Sequence, residues 1–170
     1  MAKWNLDATH SEVGFKVKHL MINNVKGQFK SFQVELQSET DDFKSAAISF
    51  TTDVASIDTA NEQRDQHLKS PDFFDAEKFT QITFTSTKYD GKVLEGNLTI
   101  KEVTKSIKLD VDFGGIAKDP WGNTKAGFTI TGKINRKDWG LNWNAALETG
   151  GVLVSEEVNI MAEIQLAKQA

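Results

Sequence analysis

The sequence predicts an all-β protein, and three observations carry that prediction. Apolar and polar residues alternate with a period of two over most of the chain, the signature of half-buried strands. Only two stretches break the alternation, so helices are few and short. Only two prolines occur, Pro71 and Pro120, and no linker rich in Ser, Gly or Pro divides the 170 residues. The chain therefore reads as one domain over 1–170.

The elements follow in order. A short strand begins near Trp4. Val13, Phe15, Val17 and His19 then share one parity, with Glu12, Lys16 and Lys18 on the other. Phe32, Val34 and Leu36 repeat the pattern, with Gln33, Glu35 and Gln37 between them. Phe29 has the opposite parity to Phe32, which predicts a bulge or strong bend between the two. Further alternating runs are Ile48 to Val54, Ile82 to Ser86, Val93 to Ile100, Ile107 to Phe113, Phe128 to Ile134 and Val158 to Leu166. This gives about eight or nine strands, many of about ten residues and so roughly 30 Å long. Asn61 to Ser70 is polar and stops before Pro71, so it reads as a short exposed helix. Arg136 to Ala146 reads as an irregular or short helical segment carrying Trp139 and Trp143. Asp119 to Asn123 and Glu148 to Gly151 read as turns.

Long antiparallel strands with one apolar face bury it in a sandwich or in a closed barrel. The barrel also removes the edges that such strands would expose. An eight-stranded barrel is either filled by its side chains or wide enough for one slender ligand. The inward set mixes bulky Phe with small Thr52, Ser86, Gly132 and Ala162, a mixture that fits both a channel and tight packing of large against small.

Composition narrows the function. Hydrophobic residues are 39% and charged residues 26%, ordinary for a globular protein. The net charge is −4, with Lys and Arg spread along the chain. That disfavours nucleic acid or an anionic membrane as the main partner, since both reward a clustered basic face. With no cysteine there is no disulfide, thiolate metal site or cysteine nucleophile. Eleven Phe and four Trp against one Tyr predict a greasy interior. No apolar run is long enough for a membrane-spanning helix. Met1 to Asp7 has no apolar stretch of the signal-peptide kind, so a cytoplasmic location is expected, or a periplasmic one if a leader was removed.

The motifs also resemble a family. Trp4-Asn5-Leu6-Asp7 followed by His10 to Leu20 is similar to the opening of YceI-like proteins, the polyisoprenoid-binding, lipocalin-like barrels of bacteria. So are Asn61 to Ser70 with Asp72 to Ala76, and Gly96 to Ile100 with Val103-Thr104-Lys105. Gly127 to Leu141, Glu148 to Gly151 and Val158 to Ile164 continue the match in order over nearly the whole chain. Thr80 stands where the family has proline, and Glu102 and Ser106 replace a glycine and a proline at the central turn. The resemblance implies an eight-stranded antiparallel lipocalin-like barrel with one or two short helical segments. It also implies a long amphiphile inside: a polyisoprenoid, an isoprenoid quinone or a fatty-acid derivative. Roles in stress response and homodimers are further implications.

Each candidate residue has a plain reading and a sharper one. Phe15, Val17, Phe50, Phe84, Ile107, Leu109, Phe128, Ile130 and Ile160 are either ordinary core or, with the resemblance, the lining of a tunnel. A tunnel needs no specific polar contact, because each buried CH₂ of a ligand contributes about 0.8 kcal/mol. His19 shares the inward parity. His10, His19 and His67 are too dispersed for a zinc site, so no metal is expected, and ring hydrogen bonds or a head-group contact fit better. Arg64, Asp65 and His67 beside Phe73 and Phe74 are either a solvated helix with a local ion pair or the barrel mouth, with Arg64 or His67 at a quinone carbonyl or phosphate. Trp139 and Trp143 share a face if their segment is helical, and either plug one end or wall the channel; Arg136 and Asp138 pair across the turn.

The sequence lacks a nucleophile elbow, a phosphate-cradling loop and a dinucleotide fingerprint. The expectation is a lipid-binding or carrier protein without catalytic residues or cofactor. The alternatives are an enzyme acting on such a lipid with His19 or His67 as general base, or a filled structural barrel.

Overall fold

The computed structural model describes residues 2–20, 22–144 and 154–169. Its strands are β1 (Ala2–Leu6), β2 (Glu12–His19), β3 (Asn23–Phe29), β4 (Phe32–Ser38), β5 (Ala47–Asp53), β6 (Ile57–Asp58), β7 (Gln81–Tyr89), β8 (Val93–Ile100), β9 (Val103–Lys118), β10 (Thr124–Asn135) and β11 (Val154–Lys168), with one helix, α1 (Glu62–Lys69). All pairings are antiparallel, and β1 joins both β4 and β11, which closes the sheet.

Three of the staves are broken. β1 and β2 lie end to end along β11, β3 and β4 along β2 and β1, and β5 and β6 along β4 and β3. Counted as continuous staves they make an eight-stranded barrel, the predicted fold. The break at Lys30–Ser31 is the one read from the parity of Phe29 and Phe32, and both rings pack on the core. The breaks at 7–11 and 54–56 are short 3-10 turns. Asp7 accepts from Thr9 N, and the Lys30 and Asp53 amides donate across the break to Ser56 O and Ser31 O.

One end of the barrel is blind. Phe43, 0% exposed, stands on a loop there with its ring edge-on to Trp4, Phe113 and Phe128 at 5.2–5.4 Å. At the other end β6 pairs only with β3, and β7 begins at Gln81, so the wall is left open between them. Helix α1 and the residues after it cover that opening. Asn61 caps the helix by accepting from Arg64 N at 3.0 Å, and Leu68 and Phe74 pack on the core beside buried Phe73. The predicted helix is therefore present but not simply exposed: its Arg64, His67 and Leu68 face turns inward. The turn at 119–123 forms as expected, with Asp119 Oδ1 accepting from the amides of Trp121 and Asn123, each at 2.9 Å. The predicted turn at 148–151 lies outside the described residues.

Candidate functional site

The interior is not filled. A compartment of about 140 Å³ lies toward the blind end, lined by Phe43, Phe84, Leu109, Phe128 and Ile130 among others. A second, of about 320 Å³, lies toward the helix end. Val13, Phe50, Leu98 and Ile160 border both, so the two abut at a waist. The blind compartment is walled by hydrocarbon; Tyr89 also borders it, and its buried hydroxyl has no partner among the described residues while burial pushes its pKa up.

Glycines let the large rings lie along the wall. Phe84 of β7 lies over Gly96 of β8, and Phe15 of β2 over Gly27 of β3; a Cβ at either glycine would come within 2.4 Å of the ring. The small residues thus serve packing and openness together, because a ring lying flat leaves the lumen clear.

The helix-end compartment is where polar groups converge. His19, Thr59, Arg64, His67 and Arg136 line it together with Phe15, Val17, Phe73 and Trp143. Arg64 donates from Nε to Thr59 Oγ1 at 2.8 Å and from Nη2 to Thr59 O at 2.6 Å. Asp65 takes both the Thr59 amide and its hydroxyl, at 2.8 and 2.6 Å, so the helix grips this residue from two sides. Two of the five guanidinium donors of Arg64 are engaged this way, and the others have no partner among the described residues. The His67 ring meets Trp143 edge-on at 4.6 Å and Phe73 at 5.2 Å, while its Nε2 lies 3.0 Å from Asp72 Oδ2.

Arg136 is the buried cation of this end. Its guanidinium donates to the carbonyls of Ser155, Leu141, Trp143 and Val154 at 3.0, 2.6, 2.9 and 3.4 Å. Burial holds its pKa below the ordinary arginine value, and these carbonyl dipoles stand where a carboxylate partner would otherwise be needed. The expected Arg136–Asp138 pair does not form among the described residues; the carbonyls take the guanidinium instead.

Of the twelve residues singled out from sequence, Phe15, Val17, His19, Phe50, Arg64, His67, Phe84, Leu109, Phe128, Ile130 and Trp143 line one compartment or both. Trp139 does not. It is 2% exposed, belongs to the core, and its indole Nε1 donates to Leu98 O at 3.0 Å, so it does not wall the channel. The two tryptophans separate because the 3-10 turn Arg136–Trp139 ends at Gly140, with φ +80°, so their segment is not one helix face. Sequence reading missed Thr59, which is held by Arg64 and Asp65 five and six residues on, and Arg136, whose carbonyl partners lie five to nineteen residues away. It also left Leu68, Phe73 and Phe74 out of the lining, although paired aromatics directly after a polar helix were a usable signal. His10 sits outside, its Nδ1 2.9 Å from Asp7 Oδ2, and no group of potential metal ligands occurs among the described residues.

A closed eight-stranded barrel with an apolar lumen and one polar end defines the class: a lipocalin-like barrel. The family model for the YceI-like domain matches residues 4–166, and the chain belongs to that family. A UPF0312 protein of Staphylococcus epidermidis is 42% identical over 168 residues, and one of Staphylococcus aureus 40%, each match covering 98% of both chains. Among solved structures, the Campylobacter jejuni YCEI protein is 36% identical with a TM-score of 0.76, covering 97% of each chain. A polyisoprenoid binding domain from Saccharophagus degradans shares the fold at 13% identity, with a TM-score of 0.75 and 98% of each chain covered.

Proposed function

We propose that the protein binds and carries one long-chain amphiphile, a polyisoprenoid, an isoprenoid quinone or a fatty-acid derivative. The chain threads from the helix end to the blind end, and the head group stays at Arg64, His67 and His19. The observation that carries this reading is the gradient along the lumen: hydrocarbon walls at one end, and at the other the Arg64 guanidinium, three of whose donors have no partner among the described residues. Burial of the chain supplies affinity that grows with its length. The planar fork of Arg64 suits a phosphate or a carbonyl head. The name of the Saccharophagus domain agrees in ligand class, although at 13% identity the likeness is one of fold. On this reading the protein works by burial and is not an enzyme.

Native mass spectrometry of the purified protein, followed by organic extraction, tests the proposal. A stoichiometric adduct that yields a long-chain lipid is expected. Arg64→Gln is expected to weaken binding of phosphate-headed chains while leaving alcohols of the same length unaffected. A clean apo mass that takes up neither an added polyprenyl phosphate, an isoprenoid quinone nor a fatty amide overturns it.

A further inference from the structure

The β2–β3 hairpin has an odd composition for a soluble turn. Its tip reads His19-Leu20-Met21-Ile22-Asn23, where tight hairpins ordinarily use Asn, Asp or Gly. Ile22 is 80% exposed and Leu20 36%, and Leu20 is held at φ 55°. Consecutive apolar residues at an exposed tip cost solubility and call for a functional reason.

The stems are as unusual as the tip. From Val13 to Val34 there is no Asp or Glu, while Lys16, Lys18, Lys26 and Lys30 all fall there. Lys30 is paired with Asp58 at 2.8 Å, but Lys16, Lys18 and Lys26 make no ion pair among the described residues. Lys16 and Lys26 are direct cross-strand partners, an arrangement in which like charges repel. Among the described residues, the acidic groups near this end are engaged elsewhere, Glu156 with Lys137 at 2.8 Å, Glu157 with Lys133 at 4.0 Å and Asp72 beside His67 at 3.0 Å. A net charge of −4 for the whole chain averages this local cluster away. Meanwhile the inner face of the same hairpin, through Val17, His19 and Val25, walls the helix-end compartment.

We propose that this hairpin docks on an anionic lipid bilayer, with Leu20 and Ile22 entering the headgroup boundary and Lys16, Lys18 and Lys26 meeting lipid phosphates. Apolar side chains flanked by lysines that make no ion pair among the described residues are the chemistry of interfacial anchoring, in which burial and charge attraction add. The contact is shallow and reversible, because one hairpin tip offers little apolar area. It rests on the carrier reading for its purpose, since it sets the polar end of the cavity against the membrane that holds the cargo. The docking itself needs no cargo.

Flotation of the cargo-free protein with vesicles tests it. Vesicles of phosphatidylcholine alone are compared with vesicles containing phosphatidylglycerol, at low and high salt. Binding to the anionic vesicles, released by salt and absent on neutral ones, is expected. Ile22→Ser is expected to lower partitioning roughly tenfold, and Lys18→Gln roughly fivefold. Trp121→Ser is the control, because Trp121 is 83% exposed but sits on the β9–β10 turn at the other end. Failure to float with anionic vesicles, equal binding to both vesicle types, unchanged binding by the folded Ile22→Ser variant, or loss through Trp121→Ser overturns the proposal. A protein partner captured through the hairpin without vesicle binding also overturns it. Flotation without any lipid uptake would instead strike at the carrier reading and leave the docking standing.

Discussion

Gly96→Ala tests whether the blind compartment takes the far end of a ligand. An alanine Cβ would lie 2.4 Å from Phe84 Cζ and 2.6 Å from Thr85 O, both well inside van der Waals contact. The carbonyl belongs to the β7 backbone, so the ring is the part that yields, and it yields toward the lumen. Overpacking of this kind costs about 1–3 kcal/mol, or about 4–8 °C in Tm for 2 kcal/mol in a domain of this size. The compartment it enters measures about 140 Å³. A cavity of about 150 Å³ holds a single benzene, so even a ring edge pushed inward by about 1 Å takes room that a few methylenes would otherwise fill. A chain that loses three buried methylenes loses about 2.4 kcal/mol, which is roughly fiftyfold in Kd. The assay is a titration of saturated and isoprenoid chains of increasing length into wild type and variant. Long chains are expected to weaken by that factor while short ones, confined to the helix end, bind as before. Equal weakening of all lengths, or none in a folded variant, would refute the reasoning.

Three further outcomes are expected. Arg136→Met leaves four carbonyl acceptors at the helix end without their donor, and urea unfolding should show a loss of about 3 kcal/mol; a loss under about 1 kcal/mol would mean water replaces the guanidinium. Asp7, 2.7 Å from the Lys125 ammonium and hydrogen-bonded to Thr9, has its pKa held well below the usual carboxylate range. Its stabilisation is complete above its unfolded pKa near ~3.9 and fades as pH falls through its lower folded value. Asp7→Asn should therefore cost about 1 kcal/mol in urea melts at neutral pH, with the gap to wild type closing in acid. Glu102→Gly should raise stability by about 0.5–1 kcal/mol, because Lys101 and Glu102 are both left-handed, with φ 52° and 65°, in the β8–β9 turn; no rise in Tm would show that Glu102 adopts this backbone without strain.

The staves were legible because a strand half-buried against a lumen writes its period into the sequence. The Phe29 and Phe32 parity change even located one break. The breaks at 7–11 and 54–56 were not legible, since a single 3-10 turn has no period and looks like strand end. Eleven of the lining residues were legible from parity and helix placement together. Trp139 and Trp143 share a face only on a helix that continues through both, and Gly140 ends the turn first. That glycine, a favoured residue just past a helix end, was the available signal. Arg136 was unreadable: its partners are main-chain carbonyls, which no residue type marks, two of them in its own loop at 141 and 143 and two on β11 at 154 and 155.

The broken staves make the cask stiff on one side and jointed on the other. β9, β10 and β11, of 16, 12 and 15 residues, are unbroken strands; β10 and β11 pair along nearly their whole length past both compartments, and β9 joins β10 along the blind end, from Lys118 to Asp110. Starting beside β11 and continuing round the barrel, three neighbouring staves all break at one level, close to the waist between the compartments. A bulky cargo can then be admitted by flexing the joints, with every ladder hydrogen bond of the stiff side kept. The amides nearest the joints should exchange with solvent first and respond most to cargo. Such a barrel adjusts its girth as a hinged hoop does, and one sequence can hold chains of unequal thickness without unfolding to receive them.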